Sequence, residues 1–112
     1  MTTPPRFIDA QTAALDPAEI DAGDVVAGVP KAAARGFAAL GSVEIGVWEH
    51  TSGTSRDVEA DEAFVVLSGR GLVTFETGET LELLPGRLVR LHAGERTIWD
   101  VHETIRKVYV TG

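Results

Sequence analysis

From Ser42 onward the chain is a series of short apolar-alternating runs, each closed by turn residues, and none offers the three-and-four spacing of a core-building helix. SVEIGVWEH (42–50) puts Val43, Ile45 and Val47 on one face and Glu44, Gly46, Trp48 and His50 on the other. TSGTSRD (51–57) reads as a loop by composition, and EAFVVLSG (62–69) as the second strand. GLVTFE and ETLELL flank Thr77-Gly78, a tight hairpin signal that makes the two strands antiparallel neighbours. Pro85-Gly86 turns the chain into RLVRL, and His92-Ala93-Gly94-Glu95 turns it into RTIWDV. IRKVYV follows a last hairpin loop at His102-Glu103. At least seven short strands at near-regular spacing predict an all-β sandwich or barrel.

The chain before this run is less regular. Residues 1–24 mix Pro, Ala, Thr and acids without a sustained apolar period and read as a flexible, loosely draped arm. Within it, Asp16 as N-cap and Pro17 at the first helical position suggest one helical turn. Between Val25 and Phe37 an Ala-rich text favours helix while Gly28, Pro30 and Gly36 interrupt it. This segment reads as irregular with one short strand. The division is then an arm over 1–24 and a single barrel domain over 25–112, which suits a chain of 112 residues.

Charge and cysteine usage narrow the function classes. Seventeen acidic against ten basic residues give a net charge of -7, and the basic residues are scattered. Nucleic acid and anionic membrane reward a concentrated positive patch and are poor partners for such a chain. The absence of cysteine excludes disulfides, thiolate metal sites and a cysteine nucleophile. No apolar run suits a leader peptide and none is long enough to span a bilayer, so a cytoplasmic location is the expectation.

One acid stands out. Glu62 shares strand parity with Phe64 and Val66, so if those face a core, the carboxylate does too. A carboxylate against apolar walls must be paired, bound to a metal or protonated, and such acids mark functional sites. Paired to a cation, Glu62 is structural, with Lys107 or one of Arg56, Arg70, Arg87, Arg90 and Arg96 as the partner.

The β-run also carries a resemblance. Glu62 and Gly69 stand at the Glu and Gly spacing of the first motif of the cupin superfamily, and Gly86, His92, Gly94, Thr97 and Val101 follow the spacing of its second. The text GVWEHTSGTSRDVEADEAFVVLSGRG followed by PGRLVRLHAGERTIWDVHETIRKVYV resembles the small cupin domain shared by ureidoglycine aminohydrolases and ethanolamine-utilisation cupins. In that branch Trp48, Glu62, Gly69, Gly86, Gly94, Trp99, Lys107 and Tyr109 fall where the pattern is most recognisable, over about residues 41 to 111. The resemblance implies a cupin double-stranded β-helix, a jelly-roll barrel with an N-terminal arm, and a homodimer built by pairing edge strands. It implies a metal only where imidazoles are present. Here the paired histidines would fall at Ser55 and Asp57 or at Arg56 and Val58, and Thr97 stands at the last histidine position. No selective transition-metal site is expected, and a divalent cation held weakly by Glu62 with Asp57 is the minor alternative.

The expected function is a metal-free module that binds a small polar or cationic molecule inside the barrel, with Trp48, Phe64, Thr97, Trp99, Lys107 and Tyr109 as ligand-binding residues. The alternative is a small-molecule enzyme, aminohydrolase- or isomerase-like, in which Glu62 and His50 are the catalytic acid and base, or Glu62 a weak metal ligand. A third reading is architectural, with the interior filled by side chains. His50, at a strand end, reads either as a surface residue or as a proton carrier facing the cavity, while His92 and His102 read as exposed loop residues. Trp99, with the parity of Thr97 and Val101, faces inward. Lys107 and Tyr109 share a face that on a terminal strand is usually solvated.

Overall fold

The computed structural model describes residues 5–112. It is all-β, with one 3-10 turn (Ala22–Asp24) and no α-helix among the described residues. The strands are β1 (Asp16–Pro17), β2 (Val25–Ala27), β3 (Ala32–Leu40), β4 (Val43–His50), β5 (Gly53–Val58), β6 (Glu62–Phe75), β7 (Thr80–Leu83), β8 (Leu88–Leu91) and β9 (Arg96–Thr111). Every pairing is antiparallel, as the hairpin signals require.

Two long strands form the spine. β9 pairs along one edge first with β5 and then with β4, and along its other edge with β6 throughout. β6 in turn carries β8 against its first half and β7 against its second. Because each long strand is shared by two shorter ones, the sheet curls on itself into the cupin jelly roll. Phe64, Val66, Val73, Leu83, Leu91, Trp99, Val101 and Ile105 pack inside it.

The two spines solve the curl differently. Buried positions on β9 keep one parity from end to end: Thr97, Trp99, Val101, Ile105 and Lys107. On β6 they change parity, from Phe64 and Val66 to Val73 and Phe75. The change happens where the β6–β9 register slips, between Val66 and Gly71. Gly69 sits in that slip with φ 94°, and a Cβ there would run into the Thr104 carbonyl. The spacing of Gly69 from Glu62 is therefore the spacing from the site to the bulge.

Several expectations are corrected. TSGTSRD forms β5 rather than a loop, because its backbone groups pair with β9 on one side and β2 on the other. EAFVVLSG and GLVTFE are one strand, as are RTIWDV and IRKVYV. The expected hairpin at His102-Glu103 does not form, and both residues lie exposed within β9. The 25–37 segment contributes β2 and most of a nine-residue strand, since pairing of β3 with β4 outweighs its Ala-rich helix preference. Asp16-Pro17 is a short strand against Ala33 and Ala34, not a helical turn, and the one turn of helix lies later, at Ala22–Asp24. The turns at Thr77-Gly78, Pro85-Gly86 and His92–Glu95 stand where expected, each with a glycine at positive φ.

Candidate functional site

The register of β4, β5 and β9 assembles the site. Trp48 pairs with Lys107, Ser55 with Trp99 and Asp57 with Thr97, while on the other edge of β9 Val66 pairs with Lys107 and Phe64 with Tyr109. Since β9 runs unbroken, the inward parity of Trp99 continues to Lys107. The face expected to be solvated points into the barrel, and Lys107 is only 4 % exposed.

The Lys107 ammonium is held by Glu62, with Nζ 2.5 Å from Oε2, and is ringed by aromatic faces. It lies 4.3 Å from the Trp48 ring centroid, 4.2 Å from Phe64 and 5.0 Å from Trp99. Each such contact contributes up to about 2 kcal/mol when desolvated. Burial pushes the Lys107 pKa below the ordinary lysine value, and Glu62, Glu59 and Asp57 oppose that shift. Glu62 thus has the cationic partner its position demanded.

A second carboxylate lies beside this pair. Glu59 is 8 % exposed, and its Oε2 accepts from the Thr97 hydroxyl at 2.6 Å and the Trp99 indole N–H at 3.0 Å. Burial raises its pKa, against the lowering effect of those two bonds. Asp57 is also raised by burial, offset in part by the Val58 N–H that its carboxylate accepts. Together Trp48, Asp57, Glu59, Glu62, Lys107 and Tyr109 line a cleft of about 170 Å³. Gly46, across from Tyr109, gives it room, because a Cβ there would overlap the phenol. Of the expected ligand-binding residues, Trp48, Trp99, Lys107 and Tyr109 line this cleft. Phe64 lies in the core behind Lys107, and Thr97 serves Glu59 from below.

Trp48, Asp57 and Trp99 also border a second chamber of about 310 Å³, flanked by the 18–24 segment through Ala18, Glu19, Ile20, Asp21 and Asp24 and floored by His50 and Ser55. His50 is not a surface residue but 1 % exposed. Its Nδ1 lies 2.7 Å from the Thr51 carbonyl, which only accepts, so Nδ1 carries the proton. Nε2 then accepts from the Ser55 hydroxyl at 2.9 Å. Burial lowers the His50 pKa and holds the ring neutral. His92 and His102 are exposed, as expected.

Glu59 and the 18–24 segment were missed at the level of sequence. Once TSGTSRDV is read as a strand, Ser55, Asp57 and Glu59 share parity, with Ser55 and Glu59 buried and Asp57 exposed beside the cleft; the loop reading concealed that. The donor set does not fit a transition metal. Whether Ser55 and Asp57 or Arg56 and Val58 stand at the paired histidine positions, neither register supplies an imidazole, Thr97 stands at the last one, and Glu62 already spends an oxygen on Lys107. Among the described residues no three His, Cys, Asp or Glu side chains converge as metal ligands.

The sequence matches the EutQ-like cupin domain over residues 37–109. The chain belongs to the EutQ-like cupins. Its fold is similar to that of a protein of unknown function from Pseudomonas syringae pv. tomato (TM-score 0.80, 22 % identity, 94 % of this chain), of which it spans 46 %, about half. A Rhizobium leguminosarum protein of unknown function is 30 % identical over 71 % of this chain and 79 % of its own, with a TM-score of 0.65. The EutQ protein of Clostridium difficile aligns over 84 % of this chain and 79 % of its own, at 19 % identity and TM-score 0.65. A comparison with curated proteins finds no match.

Proposed function

We propose that this EutQ-like cupin is a metal-free module that binds a small polar or cationic molecule in the cleft between Glu59, Trp48 and Tyr109. The observation that carries the reading is the polarity of the cleft: three carboxylates, Asp57, Glu59 and Glu62, face one ammonium, with tryptophan and tyrosine rings between them. The Lys107 ammonium, held by Glu62, places a positive charge of the chain's own in the cleft, which supports the metal-free reading. A screen of small polar molecules should raise the melting temperature of the full chain, and the rise should persist with chelator and vanish in Glu59→Gln. A rise that chelator removes overturns the reading.

A second reading has its own support. Glu59 and Asp57, both raised above the ordinary carboxylate value by burial, line the cleft, and a carboxyl that holds its proton more firmly favours acid–base chemistry on the bound molecule. Turnover lost in Glu59→Gln while ligand-induced stabilisation survives would select it. We retain the homodimer in the proposal. It is supported by the unpaired outer edges of β7 and β8 and by Leu88 at 81 % exposure, and solution mass tests it.

A further inference from the structure

The two chambers adjoin across Trp48, Asp57 and Trp99, and in each the acids outnumber the bases. Glu19, Asp21, Asp24 and Asp57 face the outer chamber with Arg56, while Asp57, Glu59 and Glu62 face the inner one with Lys107. Of these six carboxylates only Glu62 forms an ion pair among the described residues. Unpaired like charges crowd here at a cost, since Asp24 helps to raise the Asp57 pKa.

The inner end carries an independent mark of a ligand. Both donors to Glu59 go to Oε2, and Oε1 receives none. Among the described residues no fully buried polar side-chain atom lacks a partner, so Oε1 of this nine-tenths-buried carboxylate is accessible, and the cleft is the cavity that Glu59 lines. A buried carboxylate oxygen with one free side asks for an N–H donor, and a charged one is worth most there. The outer end is flanked by the 18–24 segment, pinned to the barrel by the Ala18 N–H on the Ala32 carbonyl at 2.9 Å and by the β1–β3 pairing. Asp21 and Asp24 bring their charge to that end. Trp48 and Trp99 border both chambers, so apolar ring surface, most of it from the less buried Trp48, lies beside a methylene chain that passes from one to the other.

We propose that the two chambers form one site for a linear alkyl diamine, one ammonium on Glu59 Oε1 and the other against Asp21 and Asp24, with the alkyl chain crossing Trp48 and Trp99. This rests on the binding-module reading and names its ligand class. Glu59 is the inner anchor, Asp57 lies at the crossing, and the 18–24 segment sets the reach.

Calorimetric titration of the full chain with 1,4-diaminobutane, 1-aminobutane and 1,4-butanediol tests it. The diamine should bind about tenfold or more tighter than the monoamine, the value of one added charge-assisted contact, and the diol should not bind. Glu59→Gln should abolish binding of both amines. Asp21→Asn with Asp24→Asn should lower the diamine to the affinity of the monoamine and leave the monoamine unchanged. Melting curves of each free variant confirm that it folds. Equal affinities for diamine and monoamine, binding of the diol, or no binding of any of the three overturns the diamine assignment. The binding-module reading falls separately, if no polar molecule in the melting-temperature screen stabilises the chain.

Discussion

Glu62 and Glu59 stand three residues apart and line the same cleft, the first partly and the second almost fully buried, yet the barrel satisfies them in opposite ways. Glu62, on β6, meets a full charge, the Lys107 ammonium, inside a ring of three aromatic faces. Glu59, just beyond β5, meets only neutral donors on one oxygen, and burial raises its pKa. The contrast separates a structural carboxylate from an available one. Each carboxylate is bonded through Oε2 alone, so the difference lies in charge: that of Glu62 is already neutralised within the fold. That of Glu59, held by dipoles on a single side, retains an incentive to gain a partner.

Breaking the Glu62 side should produce the largest effect. Lys107→Met fills the aromatic ring with a side chain of similar length but leaves Glu62 buried without its cation. Loss of one partner of a buried pair costs about 3–5 kcal/mol. Urea unfolding should show that loss for Lys107→Met, and the double variant Lys107→Met with Glu62→Leu should recover most of it, because two apolar groups restore a consistent interior. If the single variant is as stable as the parent, the pair is not what holds the inner wall.

The Glu59 side should respond more mildly and in a residue-specific way. Glu59→Ala leaves the Thr97 hydroxyl and the Trp99 N–H buried without an acceptor, a cost of about 1–3 kcal/mol for each group so stranded. Glu59→Gln keeps an acceptor for both and removes a charge that burial disfavours. Its stability should stay within about 1 kcal/mol of the parent. Equal losses in the two variants would mean that Glu59 is held by its charge, as Glu62 is, and the contrast would fail.

This division was only half legible in the sequence. Parity within EAFVVLSG was enough to place Glu62 inside and to demand a partner, because a single strand fixes faces locally. Choosing Lys107 required knowing that β9 has no hairpin at His102-Glu103, so that the parity of Trp99 carries through to residue 107. Nothing in the local composition distinguishes a polar stretch that turns from one that crosses the sheet exposed. Glu59 was hidden for the same reason. TSGTSRD has the composition of a loop and becomes a strand only because β9 and β2 flank it. The 18–24 segment has no period of its own, and its place over the outer chamber comes from pairing between β1 and β3, residues far apart in the local text. Turn positions, by contrast, were readable, since glycine at positive φ is a local requirement.

The smallest expected effect concerns His50, at the floor of the outer chamber, and it compares that chamber with the acids of the cleft. In the fold His50 stays neutral below the ordinary histidine value of 6.5, because burial lowers its pKa. Unfolded chains bind that proton first, so as pH falls below 6.5 the unfolded state holds more protons and stability declines, by at most about 1.4 kcal/mol per pH unit. Glu59 and Asp57 act with the opposite sign. Their folded pKa values are raised, the folded state holds more protons as pH falls toward 4.5, and stability increases there. Unfolding free energy measured from pH 7 to pH 5 should therefore drop in the parent. In His50→Asn, whose amide N–H can still reach the Thr51 carbonyl, the profile should be flat or rise on acidification. If parent and His50→Asn have the same profile over that range, His50 contributes no such loss, and the assignment of a neutral ring at Ser55 fails.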